Sequence, residues 1–334
     1  MSAAARRLAV TAAVMTAILS APAHAYLKLG AVVEEETVAL KWRAGTISYF
    51  VADEGVPNVS AAEFQAAVQR AFETWNAVET AETDFQFAGF TNLQPFDVDD
   101  VNTIGFRERQ DLDRVLATTG FSYLVSTGEL IEADIFFNSR FAWTTASAGQ
   151  AGRYDVQSIA THEAGHFLGL GHSALGETVR EGSGRRVIAG EAVMFPIAFA
   201  AGGTNERRLR ADDIAGVSDI YSSSGFRRTT GSIQGRVSRS GRGIFGAHVV
   251  AFNLQTGELV GGFTLEDDGG FVIAGLSPGL HVIRAEPLDD GELESFFDGV
   301  TPEDLNFRAT FHDRLVVVPA GGSSERIEIS AGAQ

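Results

Sequence analysis

The chain has no cysteine among its 334 residues. No disulfide can staple it, even though its N-terminal residues read as an export signal and export leads to compartments where disulfides form. Its stability must come from apolar cores, and 45% apolar usage over this length is enough for two domains. Methionine is nearly as scarce: Met1 and Met15 lie in the first 25 residues, so Met194 stands alone in the rest. Positive charge is also short. Arg6 and Arg7 take two of the 26 basic residues, leaving 24 against 43 acidic ones over residues 26–334, a net charge of −19. That balance argues against nucleic acid or an anionic membrane as partner and describes a solvated acidic surface. Long apolar runs are missing after residue 25, which excludes a membrane-spanning helix. No internal repeat or long low-complexity segment is present.

Residues 1–25 read as a signal peptide. Arg6 and Arg7 give a positive start, Leu8 to Leu19 is apolar, and Ala23-His24-Ala25 offers a small-residue cleavage site before Tyr26. The expected product is exported, either extracellular or periplasmic.

What the chain does have is concentrated in Tyr154 to Ser173, YDVQSIATHEAGHFLGLGHS. His162 and His166 are four residues apart, so on a helix both imidazoles leave the same face. Glu163 beside them can reach a water on a metal held by the pair. Gly169 permits a left-handed exit from the helix, which turns the chain so that His172 returns to the same point. Three neutral imidazoles with one open position describe a catalytic zinc site rather than a structural one. The competing explanation, incidental histidines on a core-facing stripe with Ile159, Phe167, Leu168 and Leu170, fits this grouping poorly.

The full spacing HExxHxxGxxH is the metzincin pattern, whose companion is a methionine turn downstream. Met194, in Ala192-Val193-Met194-Phe195-Pro196, occupies that place. Here the chain resembles the matrixin family, the metzincins that include the matrix metalloproteinases. Ser173 after the third histidine and the segment Leu209 to Tyr221 as a closing helix extend the resemblance, which covers about Trp42 to Tyr221. It implies an α+β peptidase domain, a twisted sheet with an active-site helix. It also implies zinc on His162, His166 and His172, Glu163 as general base and Met194 under the metal. By the same resemblance an extended peptide pairs with the edge strand above the cleft, and the pocket beside the metal prefers an apolar side chain.

This chain also departs from the family. Ala133 to Trp143 resembles a segment that carries a structural-zinc histidine and acidic calcium ligands in matrix metalloproteinases. Phe136 stands at the histidine position, and Asn138 and Phe141 stand where acids are expected. One zinc is therefore expected, and calcium has no identifiable ligands. Without cysteine the thiolate latch of many relatives cannot form, and residues 26–41 are short for the usual prodomain. A carboxylate latch from Glu34 to Glu36 is the alternative. The spacing from His172 to Met194 is longer than usual in matrixins, and its excess, Gly176 to Glu191, reads as a loop near the cleft. That loop either shapes substrate access or is a neutral insertion.

The rest of the peptidase portion, residues 26–221, is read from periodicity. A strand is expected at Thr46–Val51. A helix starts from the capping box Ser60/Glu63 and carries the apolar stripe Phe64, Val68, Phe72, Trp75. Further strands are expected at Thr83–Phe90, Asn102–Phe106, Leu116–Leu124 and Ala133–Asn138. Residues 222–231 are polar and read as a linker.

From Ser232 the apolar period becomes two, with strands expected at Ile233–Val237, Ala247–Phe252, Phe271–Ile273, Leu280–Ala285, Leu315–Val318 and Arg326–Ile329. Asp267-Asp268-Gly269-Gly270 fits a hairpin turn. Leu276-Ser277-Pro278-Gly279 with the strand after it resembles carboxypeptidase regulatory-like domains. Residues 232–334 are thus expected to form an all-β transthyretin-like sandwich, with His248, His281 and His312 as ordinary strand and loop residues.

The expected whole is a zinc metalloendopeptidase acting on protein or peptide substrates. The alternative is a zinc-containing binding or adhesion protein whose functional module is the C-terminal sandwich. The oligomeric state is left open.

Overall fold

The computed structural model describes residues 28–33, 36–182, 184–291, 293–297 and 306–333. The expected leader and the Glu34–Glu35 part of the carboxylate latch lie outside the described residues. The architecture is mixed, with strands dominating.

A short antiparallel hairpin, β1 (Gly30–Val33) and β2 (Glu36–Ala39), opens the described chain. The first half is then built on a five-stranded sheet. Its strands are β3 (Ile47–Ala52), β4 (Phe85–Thr91), β5 (Thr103–Arg107), β6 (Ala117–Tyr123) and β7 (Leu130–Asn138). Their order is β4-β3-β5-β7-β6, parallel except for β6, which runs antiparallel to β7 and forms an edge. All five lie within a residue or three of the expected spans, and the strand expected at Leu116–Leu124, β6, is the one on this edge.

Helix α1 (Ala61–Asn76) starts where its capping box predicts: Ser60 accepts the Glu63 amide, and the Glu63 carboxylate accepts the Ser60 amide. Its stripe of Phe64, Val68, Phe72 and Trp75 is fully buried, with Phe64 on Phe106 and Phe137 of the sheet and Phe72 on Tyr49 and Phe85. Burying each such side chain stabilises the fold by about 1.5–3 kcal/mol, so the stripe outweighs the cap by several-fold. After the short pair β8 (Trp143–Thr144) and β9 (Tyr154–Asp155) comes helix α2 (Val156–Phe167), N-capped by Asp155. Trp75 Nε1 donates to the Thr161 carbonyl at 2.9 Å, and Phe72 meets Phe167 edge-on at 5.2 Å, so α1 locks α2 in place.

The segment expected as a loop, Gly176 to Glu191, is instead a hairpin: β10 (Gly176–Glu181) and β11 (Gly184–Gly190). Thr178, Val179, Val187 and Ile188 suit strands, and Gly182 supplies the positive φ of 62° at the turn. Helix α3 (Ala211–Ile220) closes this half.

Past a one-turn helix, α4 (Phe226–Thr229), the second half holds two sheets. One contains β12 (Gly231–Arg239), β13 (Arg242–Gly243), β16 (Gly270–Leu276) and β20 (Ile327–Ser330). The other contains β14 (His248–Asn253), β15 (Leu259–Phe263), β17 (Gly279–Glu286), β18 (Thr310–Phe311) and β19 (Val316–Val318). Ile233, Val237, Phe271 and Ile273 of one sheet share a core with Val249, Ala251, Ile283 and Ala285 of the other. The six expected strands are present, and β13, β15 and β18 are additions to them. Consequently Asp267 to Gly270 is no hairpin turn. It carries the chain from β15 in one sheet to β16 in the other.

Residues 222–231, expected as a polar linker, include a buried apolar residue and lie between halves that touch. Phe226 is buried, and the backbone of β16 at Gly275 lies so close to α3 that a Cβ there would come within 2.7 Å of the Ala215 methyl. Polar composition hides this because the contacts come from residues distant in sequence. Among the described residues no helix is long and apolar enough to cross a membrane.

One buried carboxyl lends the fold a measurable pH signature. Asp134 on β7 accepts the Thr103 amide at 2.7 Å, and burial pushes its pKa up to about 7. In the unfolded chain it titrates near 3.9, so the folded state keeps a proton that the unfolded state has lost. This group's contribution to stability therefore falls as pH rises from about 4 to about 7. Asp134→Asn should remove that component, giving a melting temperature that declines less over this range than wild type's. Parallel melting profiles would contradict the assignment.

Candidate metal centre

Helix α2 presents His162 and His166 on one face, and the chain leaves it at Gly169, whose φ is +94°. A side chain at Gly169 would put its Cβ 2.3 Å from the Leu40 carbonyl oxygen, so both conformation and space demand glycine. The turn brings His172 back. The three imidazoles each offer one nitrogen within 4.8 Å of the others, with ring centroids 4.7–5.5 Å apart. The histidines expected to converge from spacing alone do converge.

Their orientation has a common cause. His162 Nδ1 donates to the Val193 carbonyl at 2.7 Å, His166 Nδ1 to Leu170 at 2.8 Å, and His172 Nδ1 to Ser295 at 2.8 Å. A carbonyl can only accept, so each Nδ1 carries the hydrogen and each Nε2 keeps its lone pair. Burial, with the neighbouring imidazoles adding to it, holds the His162 pKa down to about 3 and that of His166 well below its ordinary value. Burial also lowers His172. Neutral imidazoles with fixed Nε2 lone pairs are what a zinc ion requires. His166 Nε2 and His172 Nε2 face each other at 3.2 Å, an arrangement of two lone pairs that a cation between them would stabilise. The residues fit the metal.

Glu163 is buried at the same cleft, and burial pushes its pKa up to about 7. Thr119, on edge strand β6, donates its hydroxyl to Glu163 Oε2 at 2.7 Å and lies 3.0 Å from the Glu163 carbonyl. Sequence reasoning does not single out Thr119. A threonine among alternating strand residues carries no signal until the strand is laid over the helix.

Met194 is buried against α2 at Gly165: a Cβ on that glycine would fall 2.2 Å from Met194 Sδ. The small residue inside the histidine motif is thus the seat of the methionine. Asp213, second acid of α3, accepts the amides of Val193 at 2.9 Å and Met194 at 3.2 Å. It therefore fixes the carbonyl that orients His162. Its neighbour Asp212 accepts the Gly261 amide of β15 at 2.8 Å and a hydrogen bond from Ser173. Burial raises Asp212 to about 7 and Asp213 to about 6. In the sequence neither acid stands out beyond its membership of the closing helix.

The cleft has a volume of about 920 Å³. Residues 117–121 of β6 border it on one side, and Phe195, Pro196 and Ile197 line it past the methionine. Arg185 of the β10–β11 hairpin also reaches it. At the departed family positions, Phe136 is buried against Phe96. Asn138 uses its amide to hold the loop carbonyls of Arg109, Leu112 and Val115. Packing and loop support thus occupy those positions.

Comparison with known proteins agrees with this geometry. The matrixin family model, of the M10 peptidases, matches residues 41–222, and the chain belongs to that family. Human neutrophil collagenase is 27% identical over 182 residues, covering 54% of this chain and 33% of the collagenase. Metalloendoproteinase 1 of Glycine max is 27% identical over 192 residues, 54% of this chain and 52% of that protein. The Arabidopsis thaliana metalloendoproteinase 1-MMP is 26% identical, covering 54% and 44%. The chain thus spans a third to a half of the length of these relatives. Among solved structures, a DUF3823 family protein from Parabacteroides merdae ATCC 43184 has a TM-score of 0.21 at 13% identity, covering 31% of this chain and 46% of that one. That likeness carries no argument.

The seat of the methionine can be tested. Gly165→Ala forces a methyl group into the space of Met194 Sδ and should cost about 1–3 kcal/mol of stability. Urea unfolding reads the loss directly, and an unchanged midpoint would show that Met194 yields freely.

Proposed function

We propose that this chain is an exported zinc-dependent endopeptidase, extracellular or periplasmic, that hydrolyses protein or peptide substrates. One observation carries the reading: three Nε2 atoms converge beside a buried carboxylate in a cleft bordered by a sheet edge. His162, His166 and His172 would hold a single zinc. Zinc held there supplies Lewis acidity, acidifying water and polarising the scissile carbonyl.

The chain's own residues do the rest. Thr119 engages Glu163 Oε2, which leaves Oε1 to take the proton of the attacking water and pass it to the leaving amine. The edge of β6 offers unpaired backbone groups to an extended peptide, which binds as an added strand. Phe195, Pro196 and Ile197 receive an apolar side chain beyond the scissile bond. Met194, held by Asp213 and seated on Gly165, forms the floor under the histidines. We read residues 232–334 as the transthyretin-like sandwich of carboxypeptidase regulatory-like domains. Their two sheets over a common core support that reading.

Two measurements test the proposal. Elemental analysis should return about one zinc per chain for the wild type and near none for His166→Ala; two tightly held zinc ions would mean further ligands elsewhere. Glu163→Gln should retain the zinc yet lose several orders of magnitude in hydrolysis of a peptide library. Near-normal turnover by the zinc-loaded variant would refute the role of the carboxylate.

A further inference from the structure

Two of the three histidines are oriented by carbonyls from the first half of the chain, those of Val193 and Leu170. The third is not. His172 Nδ1 donates at 2.8 Å to the carbonyl of Ser295, 123 positions later and beyond the matrixin match. Ser295 also lines the cleft.

The two phenylalanines next in the chain hold the Ser295 carbonyl in place. Phe296 and Phe297 are only 1% and 2% exposed and pack with Phe263, Leu265 and Leu288. Phe263 lies 6.0 Å from Phe296 and 5.4 Å from Phe297, ring centre to ring centre. The same cluster includes Ala174, two residues past His172, so the acceptor and the histidine are gripped by one apolar knot. Two polar ties flank it. Asp212 joins Ser173 to the Gly261 amide of β15. Thr178 of the β10–β11 hairpin donates its amide to Asp290 Oδ1 at 2.7 Å and its hydroxyl to the Asp290 carbonyl at 2.9 Å. Leu175 and Ala192 pack on Val250.

We propose that the second half of the chain completes the metal centre: the Ser295 carbonyl is the positioning group for His172, and Phe296 and Phe297 are its anchor. The inference rests on the reading of the three histidines as zinc ligands. Its physical basis is that a ligating imidazole is oriented, and its tautomer chosen, by the acceptor at its other nitrogen. Loss of such an acceptor typically weakens metal binding by about 10–100-fold. Without the Ser295 carbonyl, His172 could rotate or present the wrong nitrogen, because within the described residues its Nδ1 has this acceptor fixed by a remote segment. The second half thereby acts as a constituent of the site rather than an appended module.

The test uses the full chain and reads zinc affinity by chelator competition, together with the visible spectrum of the cobalt-substituted protein. Phe296→Ala frees the anchor and should weaken zinc by about 10–100-fold and alter the cobalt spectrum. Phe296→Leu, which refills most of the volume, should restore much of both. Phe271→Ala, an equally buried change between the two sheets, should lower stability yet leave zinc affinity and spectrum as in wild type. A folded Phe296→Ala protein with wild-type affinity and spectrum overturns the inference, and so does an equal loss in Phe271→Ala. If Phe296→Ala does not fold, Phe297→Ala decides by the same two readouts. A wild-type chain that holds no zinc at all would instead overturn the reading of the histidines, so the two failures are distinguishable.

Discussion

The structure turns on the need to hold three imidazoles with Nδ1 protonated and Nε2 aimed at one point. Each is met by a backbone carbonyl, and each carbonyl comes from a different place: the segment before Met194, the turn after α2, and the remote Ser295. A carbonyl fixed in a packed backbone suits this role, because it has no rotamer to lose. Much of the surrounding architecture reads as support for those acceptors. Asp213 pins Val193 and Met194 by their amides, Gly165 lets the methionine close in on α2, and Gly169 allows the turn that returns Leu170 to His166.

The adjacent acids of α3 divide the work. Asp213 faces the methionine turn, while Asp212 faces the second half of the chain through Gly261. Both are buried, and backbone amides and a serine satisfy them. Burying carboxyl groups this way is costly unless their hydrogen bonds are made, so the geometry around them is over-determined. The rigidity serves the cleft, where a displacement of these groups would move the three Nε2 atoms off their common point.

Legibility from sequence tracks the range of the interaction. The capping box at Ser60 and Glu63, the stripe from Phe64 to Trp75 and the strand alternation are local periodicities, and they place α1 and the sheet strands to within a few residues. The histidine motif is legible because helix geometry alone brings His162 and His166 together, and one glycine suffices to return His172. The β10–β11 hairpin reads as a loop in sequence because its Glu, Arg and Gly residues outnumber the strand-favouring Thr178, Val179, Val187 and Ile188. The segment Asp267 to Gly270 reads as a hairpin because turn chemistry does not reveal which sheet the next strand joins.

The sequence by itself determined the histidine cluster, the neighbouring carboxylate and the matrixin membership, since all are encoded within short spacings that a helix and a turn convert into geometry. Only the tertiary structure decided the rest. Thr119 meets Glu163 because the edge strand crosses the helix, and Asp212 and Asp213 matter because α3 packs between the methionine turn and β15. The contact of Ser295 with His172 depends on the packing of Phe296 and Phe297 around Ala174. Such contacts leave no periodic trace in the chain, because they are made where apolar surfaces from distant segments exclude water together.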